Sequence, residues 1–322
     1  MSYRHLTIED REIIDRMHYA GYSQAEIARK LDRSSGTICR ELQRNRRRSG
    51  YSARSAQQQS EQRRRDRPIE KKLDDPFLDD TVRSGLAQEW SPEEISGRLQ
   101  RETPDGPQVS HQTIYRWLRR DCPHPEHFTS FLRHGRYRKR GVSKRIGPIP
   151  NRTPISERPV EVKLRERLGD WEGDTIIGAH QSGSIVTLVD RKSGYLLAAT
   201  MPDGRALSLN RAAERAFRTI PKDVRQTLTV DNGSEFARHE ILSRRLGMPI
   251  YFADPYCSNQ RATNENTNGL LRQYYPKGTD LLTISHHNLA FVVQRLNNRP
   301  RKRLNYRTPC EVLEEAGIAL QM

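Results

Sequence analysis

Residues 171–178 read Trp-Glu-Gly-Asp-Thr-Ile-Ile-Gly, and at this stretch the chain changes from a helical to a strand-like pattern. Two more runs typical of strands follow at 184–190 and 195–200. Between them stand only the turn residues Arg191-Lys192-Ser193-Gly194. So short a turn predicts that the second and third strands form an antiparallel hairpin.

Helices and strands alternate after the hairpin. A helix with apolar residues on one face is predicted over 209–217, a strand over 227–230, a helix over 235–246 and a strand over 249–253. A last helix should start near Asn264 and end before the following proline. Three antiparallel strands followed by this alternation predict a ribonuclease-H-like α/β layer sandwich.

Three carboxylates fall at informative places in this layout. Asp174 lies on the first strand, Asp231 at the carboxyl end of a central strand, and Glu265 in the first turn of the last helix. Ligand sites of open α/β sheets gather at strand ends, so the three can converge. Convergent carboxylates repel one another unless cations compensate them, and hard oxygen ligands suit Mg²⁺ or Mn²⁺. Two such ions ~3.5–4 Å apart would support in-line phosphoryl transfer.

The pattern leaves alternatives at each of these positions. Glu265 also fits an ordinary capped surface helix, and strand position does not separate the two aspartates from the other strand acids, Asp170, Glu172 and Asp190.

Charge indicates a polyanionic partner. The 322 residues include 56 Lys and Arg against 40 Asp and Glu, a formal net charge of +16. Such a field favours phosphate backbones, which makes nucleic acid the leading candidate, although solubility alone also explains a basic surface. No apolar stretch has the length of a membrane span, the N-terminus lacks a signal-peptide core, and four scattered cysteines suit a reducing compartment. We therefore expect a soluble, cytoplasmic protein.

Residues 1–48 have the pattern of a helix-turn-helix domain. Thr7 and Asp10 resemble a capping box, Ser23 caps a second helix, and a third helix turns Ile38 and Leu42 inward. Any small three-helix core shows similar periodicity, but the arginines that follow the third helix favour DNA. The predicted DNA-contacting residues are Ser35, Thr37, Arg40 and Arg44.

A second helix-turn-helix domain is predicted over 85–132, after a basic linker at 49–84 that also suits a solvated helix. Ser91 and Glu94 form a capping box with Pro92 at the first helical position. The alternative is a helical packing module without DNA contact. The predicted DNA-contacting residues are Gln112, Tyr115 and Arg116.

A second basic linker is predicted at 133–160, before a catalytic domain at 161–322 that ends in a basic helix. One cysteine and three histidines lie near the start of this linker, and both residue types commonly bind zinc. Their irregular spacing matches no common zinc motif, so we expect no zinc site. These residues are Cys122, His124, His127 and His134.

Several motifs together resemble the DDE transposases of the insertion-sequence-thirty family of bacterial mobile elements, over nearly the whole chain. In the N-terminal half they are Trp90-Ser91-Pro92-Glu93 and the stretch 109–115. In the C-terminal half they are 169–175, 189–193, Asp231-Asn232-Gly233-Ser234-Glu235-Phe236, 264–278 and 297–303.

The resemblance implies a catalytic and metal-binding triad of Asp174, Asp231 and Glu265, with two Mg²⁺ or Mn²⁺ ions. The last two stand 265 − 231 = 34 positions apart, similar to the family spacing. Asp170, Glu172 and Asp190 become supporting residues. The implied activity is hydrolysis at terminal inverted repeats of double-stranded DNA, followed by strand transfer from the freed 3′ hydroxyl. Arg261, Arg272 and Lys277 would hold DNA phosphates.

The resemblance further implies that two DNA ends meet in a homodimer or larger assembly, at the bacterial nucleoid. One departure stands before the helix of Glu265, where the family has Trp-Gln-Arg-Gly and this sequence has Asn259-Gln260-Arg261-Ala262. This departure favours the alternative function, a catalytically inactive, domesticated end-binding or regulatory DNA-binding protein. The intact carboxylates favour the enzyme.

Overall fold

The computed structural model divides into two compact units, Met1–Lys71 and Lys72–Met322. The first is all-α, and the second joins a small helical module to a mixed α/β domain. None of the described helices combines the length and the apolar character needed to cross a membrane. The structure describes residues 5–46, 50–66, 72–122, 149–255 and 257–318.

Four helices form the first unit. Thr7 closes a capping box on the first helix and Ser23 does so on the second, as predicted. Ile14, Ile27 and Ile38 are fully buried and make the centre of the small core. The helices are α1 (Ile8–Tyr19), α2 (Gln24–Lys30), α3 (Ser35–Asn45) and α4 (Ala53–Arg65).

Helix α4 corrects the prediction of a linker at 49–84. Ala53 and Ala56 are buried where α4 packs against α1. The backbone amide of Ala53 donates a 2.8 Å hydrogen bond to Asp15. Small side chains allow this close packing without long apolar residues, which is why the apolar pattern did not reveal it.

The helical module also begins earlier than the predicted boundary at residue 85. Helix α5 (Pro76–Ala87) contributes to the same core as α6 (Pro92–Glu102) and α7 (His111–Arg120). The predicted capping box of Ser91 and Glu94 is present at the start of α6. His124, His127, His134 and most of the predicted linker at 133–160 lie outside the described residues.

A six-stranded sheet of order β1-β6-β5-β2-β3-β4 organises the α/β domain. β2, β3 and β4 are antiparallel, whereas β5 pairs parallel with β2 and with β6, and β1 pairs parallel with β6. This is the predicted ribonuclease-H-like arrangement, including the hairpin. The strands are β1 (Thr153–Pro154), β2 (Asp170–Ile177), β3 (Ser184–Asp190), β4 (Leu196–Met201), β5 (Thr227–Val230) and β6 (Ile250–Phe252). The two-residue β1 lies where a linker was predicted.

Helices cover both faces of the sheet, and strand alternation assigns each side chain to one of them. In β3, Val186 and Leu188 pack into one core cluster, while Ile185 and Val189 pack into the other. In β2, Trp171 belongs to the first cluster and Ile176 to the second. The even-numbered residues of β2 therefore face the second side. The helices of this domain are α8 (Glu161–Leu164), α9 (Ala206–Phe217), α10 (His239–Leu246), α11 (Ala262–Tyr274), α12 (His286–Asn297) and α13 (Pro309–Glu315).

Helices α9 and α10 contribute to the first cluster, and α11 and α12 to the second. Helix α11 contacts both β2 and β3. Asp174, an even-numbered residue of β2, therefore points to the side of the sheet that α11 covers, and α11 carries Glu265 in its first turn as predicted.

Candidate active site

Two neighbouring strands bring Asp174 and Asp231 together. β2 and β5 run parallel with Glu172 opposite Thr229, and each aspartate stands two residues beyond this pair in its own segment. Asp231 directly follows β5, where its backbone no longer pairs with a strand. Parallel pairing up to this point brings the two aspartates to the same edge of the sheet.

The Arg261 guanidinium lies between the two carboxylates. Its Nη1 atom is 3.3 Å from Oδ2 of Asp174, and its Nη2 atom is 3.6 Å from Oδ2 of Asp231. Only 15% of the Arg261 side chain is exposed. Arg261 was predicted to bind DNA phosphate, and here its charge is shared by the acidic pair.

Burial raises the pKa of Asp174 to about 6, although the positive charge of Arg261 opposes the shift. The charges of Asp231 and Glu235 also contribute to this rise. The site therefore holds more negative charge than one guanidinium neutralises at neutral pH. Such a pair of hard oxygen donors fits a divalent cation.

Helix α11 lies against this pair through its asparagines. The Asn268 amide donates a 3.1 Å hydrogen bond to Oδ2 of Asp174. One turn earlier, the fully buried Asn264 side chain donates to the backbone carbonyls of Glu172 and Thr187 at 2.8 and 3.1 Å. Asparagine is a poor residue for a helix interior, so the repeated asparagines of this stretch were the signal for these contacts.

Glu265 is exposed on α11, one residue after Asn264 and three before Asn268. Residues three apart share a helix face, so Glu265 lies beside the side chain that contacts Asp174. Within the described ranges, however, no three Asp, Glu, His or Cys side chains lie close enough together to hold a metal ion. The structure brings together two of the three predicted metal ligands and places the third on the adjacent helix surface.

Glu235 is a further acidic residue of the site that the sequence analysis did not single out. Its Oε1 atom accepts a 2.7 Å hydrogen bond from the hydroxyl of Thr175, the residue after Asp174. Its charge is among those that raise the pKa of Asp174. Its place in the motif 231–236 was the sequence feature that could have identified it.

The other strand acids are engaged in hydrogen bonds of the protein itself. Glu172 and Arg191 form a buried ion pair of 2.5 Å, with 0% and 6% of their side chains exposed. Asp170 accepts from Arg167 and Thr227, and Asp190 accepts from Gly169 and Ser193. These contacts join β2 and β3 to their surroundings and occupy each carboxylate.

The predicted DNA-contacting residues are placed as follows, and their contact with DNA stays a prediction. In the first unit, Ser35, Arg40 and Arg44 are exposed on α3, while Thr37 is half-buried beside Ser34. On α7, Gln112 and Arg116 are exposed and Tyr115 is half-buried. Lys277 is exposed, whereas Arg272 donates a 3.0 Å hydrogen bond to the carbonyl of Ile177.

The helical module contacts the α/β domain through α6. Residue Gly97 lies against the ring of Tyr306. Three ion pairs join α6 to the segment 299–311: Glu94 with Arg299 at 2.9 Å, Glu93 with Lys302 at 2.6 Å and Arg98 with Glu311 at 2.6 Å. We call this set the α6 contact. It joins residues of two separate motifs, 90–93 and 297–303, in one interface within the second unit.

Comparison with known proteins gives matches along nearly the whole chain. A family model described as a helix-turn-helix domain matches residues 2–45. The transposase for insertion sequence element IS1086 of Cupriavidus metallidurans is 42% identical, over 97% of this chain and 95% of that protein. Transposase InsI for insertion sequence element IS30A of Escherichia coli is also 42% identical, over 98% of this chain and 85% of that protein.

A third relative, the transposase for insertion sequence element IS4351 of Bacteroides fragilis, is 39% identical over 97% of this chain and 96% of its own length. Among solved structures, the catalytic core domain of BIV integrase covers 47% of this chain and 97% of its own, with 21% identity and a TM-score of 0.36.

Proposed function

The chain belongs to the insertion-sequence-thirty (IS30) family of transposases, and from this premise we propose that it binds the terminal inverted repeats of an insertion sequence and catalyses metal-dependent DNA strand cleavage and transfer. The observation that carries the proposal is the pair of Asp174, on β2, and Asp231, directly after the neighbouring β5, with Arg261 between them.

Asp174, Asp231 and Glu265 would hold two Mg²⁺ or Mn²⁺ ions, and these would supply the Lewis acidity that in-line phosphoryl transfer requires. Asp174 and Asp231 already share one cationic group, which supports the fit. Asn268 orients the carboxylate of Asp174 through its hydrogen bond. Glu172 and Asn264 hold the start of α11, and with it Glu265, against β2.

The proposed substrate is double-stranded DNA, first at the terminal repeats and then at a target. Helix α3 would enter the major groove with Arg40 and Arg44, since both are exposed and follow a short turn. Two ends must be joined in one complex, so we propose a homodimer or larger assembly. The proposed substrate places the activity in the cytoplasm, at the nucleoid.

A second candidate is a catalytically inactive end-binding protein. It is favoured by Asn259 and Ala262, which stand where the family has Trp and Gly in the stretch before the helix of Glu265. The two candidates differ in chemistry and agree on DNA binding.

The two candidate functions are distinguished by a nicking assay on duplexes that carry the inverted repeats flanking the coding region. We expect the wild type to nick these ends with Mg²⁺ and to stop when a chelator is added. Glu265→Gln should lose at least about a thousandfold in nicking rate, the scale of an essential catalytic group, while its DNA affinity stays within about twofold. A wild-type protein that binds the ends without nicking them supports the second candidate.

End recognition is tested with Arg40→Ala. A lost base contact should weaken binding to the terminal repeat by about 1–3 kcal/mol and leave binding to random duplexes nearly unchanged. Arg211→Ala, an exposed arginine of α9, is the control. Equal losses on both DNAs would reduce Arg40 to a phosphate contact.

A further inference from the structure

A small basic cavity lies on the flank of α11 that faces away from Glu265. Thr263 and Thr267 line it, and each stands two positions from Glu265, which places them on the opposite side of an α-helix. Its volume is about 200 Å³. The other polar lining side chains are Asn266, Arg165, Arg301 and Arg303, and no acidic residue is among the described residues that line it.

Three guanidinium groups from two parts of the chain, Arg165 and the segment of Arg301 and Arg303, converge on this cavity. Arg303 is oriented by a 2.9 Å hydrogen bond to the carbonyl of Lys192 and passes over Gly194. Arg301 donates to the carbonyl of Leu296 at 3.0 Å. A guanidinium carries five N–H donors, and among the described residues Arg303 donates only through Nη1, to the carbonyls of Arg191 and Lys192, so its other donors can meet a ligand. Partial burial, followed by the charge of Arg165, lowers the pKa of Arg303, and the charges of Asp190 and Glu172 oppose this shift.

The hydroxyl of Thr263 is the second, independent sign of a ligand. Only 8% of Thr263 is exposed, and its Oγ1 atom is buried without a hydrogen-bond partner in the part of the chain that the structure describes. A buried polar atom without a partner is costly, so such atoms in native proteins usually have a ligand or a water. An oxyanion in the cavity would pair with this hydroxyl and with the arginines.

We propose that this cavity binds one backbone phosphate of the DNA strand that crosses α11 to reach Asp174 and Asp231. The identity of the anion rests on the proposed function, and the site itself rests on the lining side chains. A phosphodiester carries one negative charge and two free acceptor oxygens, which match the fork of N–H groups on arginine. Helix α11 separates the cavity from the acidic pair by about 10–12 Å, the diameter of a helix with its side chains. Anchoring a phosphate here would fix the position of the strand at the site of cleavage.

The test neutralises one DNA phosphate at a time. Duplexes that carry the terminal repeat receive a single methylphosphonate at successive positions near the cleavage site, and binding is measured in a chelator so that no chemistry occurs. One position should weaken the wild-type protein about tenfold, the scale of a charged hydrogen bond. Arg165→Ala and Thr263→Val should bind unmodified DNA more weakly than the wild type does. For these variants, the methylphosphonate at that position should cause no further loss of affinity.

Matched variants make the result specific. Thr263→Ser keeps the hydroxyl and should behave as the wild type, and Arg211→Ala on α9 should remain sensitive to the same methylphosphonate. Arg165→Ala should also lower the slope of log affinity against log salt by about 0.9, the value for one phosphate contact, with an unchanged melting temperature. If every methylphosphonate that weakens binding of the wild type weakens Arg165→Ala and Thr263→Val equally, the proposal is overturned.

A free anion is the rival occupant. If inorganic phosphate at constant ionic strength raises the melting temperature of the wild type but not of Arg165→Ala, and the methylphosphonate scan shows no coupled position, the cavity binds a free anion and the DNA assignment is wrong. These measurements need no catalysis. Failure of the proposed function would instead show as end binding without nicking, so the two failures are distinguishable.

Discussion

The carboxylate of Glu172 accepts a 2.8 Å hydrogen bond from the backbone amide of Asn264. The amide of the Asn264 side chain returns a 2.8 Å hydrogen bond to the carbonyl of Glu172. A buried carboxylate at a helix N-terminus satisfies an otherwise unpaired N–H and interacts favourably with the helix dipole. This reciprocal pair joins the strand of Asp174 to the first turn of the helix that carries Glu265.

Removal of the Glu172 charge should destabilise the α/β domain strongly. Glu172→Gln leaves the Arg191 guanidinium buried without its carboxylate, and breaking such a pair costs about 3–5 kcal/mol. Urea unfolding of the full chain should show this loss, whereas the exposed control Glu157→Gln should change stability by less than about 0.5 kcal/mol. Equal effects of the two variants would contradict the role of the buried pair.

Ionisation of Asp174 should make the metal-free protein less stable as pH rises. The folded pKa of about 6 lies above the ordinary value of 3.8, so the folded state holds the proton longer than the unfolded state. Its stabilising contribution is therefore full below pH 4 and is lost as pH rises to about 6. In a chelator, Asp174→Asn should be more stable than the wild type by about 1–3 kcal/mol at pH 7.5 and no more stable at pH 3.5. A pH-independent difference between the two melting temperatures would contradict this sign.

Arg261 should compete with divalent cations for the acidic pair. Arg261→Gln removes the group that Asp174 and Asp231 share, so Mn²⁺ no longer has to displace it. Without DNA, the Mn²⁺ concentration at half-maximal rise of the melting temperature should fall about three- to tenfold, the scale of a partly exposed ion pair. Arg272→Gln on the same helix is the control, because Arg272 bonds a carbonyl and not the acids. An unchanged Mn²⁺ midpoint in Arg261→Gln would show that the arginine does not compete.

The strands and the meeting of Asp174 with Asp231 were predictable from sequence. Both depend on local alternation and on the rule that parallel strands end at one edge of the sheet. The contacts of Arg261 and Asn268 were not predictable, because they depend on how α11 is rotated and shifted over β2 and β3. Periodicity identifies the buried face of a helix, but it does not identify the strand residue that each side chain meets.

The α6 contact was hidden for a related reason. Glu94 fits a capping box and Glu93 fits the first turn of a helix, so local rules already account for both. Their partners Arg299 and Lys302 belong to the motif 297–303, in the predicted catalytic domain. Pairing acids and bases about two hundred positions apart requires the tertiary structure.

Gly97→Ala tests whether the α6 contact holds the helical module on the α/β domain. In an isolated helix, replacing glycine by alanine stabilises by about 1 kcal/mol. At Gly97, however, a β-carbon would overlap the ring of Tyr306, so either the ring or the whole of α6 must move. Overpacking of this kind costs about 1–3 kcal/mol, and we expect a net loss of stability.

Gly36→Ala on α3 is the matched control, because a β-carbon there meets no atom within 4 Å and the variant should keep the helical gain in stability. Thermal unfolding of the full chain measures both, and hydrogen exchange should rise in residues 92–102 and 299–311 of Gly97→Ala alone. If Gly97→Ala stabilises the protein as Gly36→Ala does, Tyr306 does not pack on α6 in solution, and the module is free to move relative to the catalytic residues.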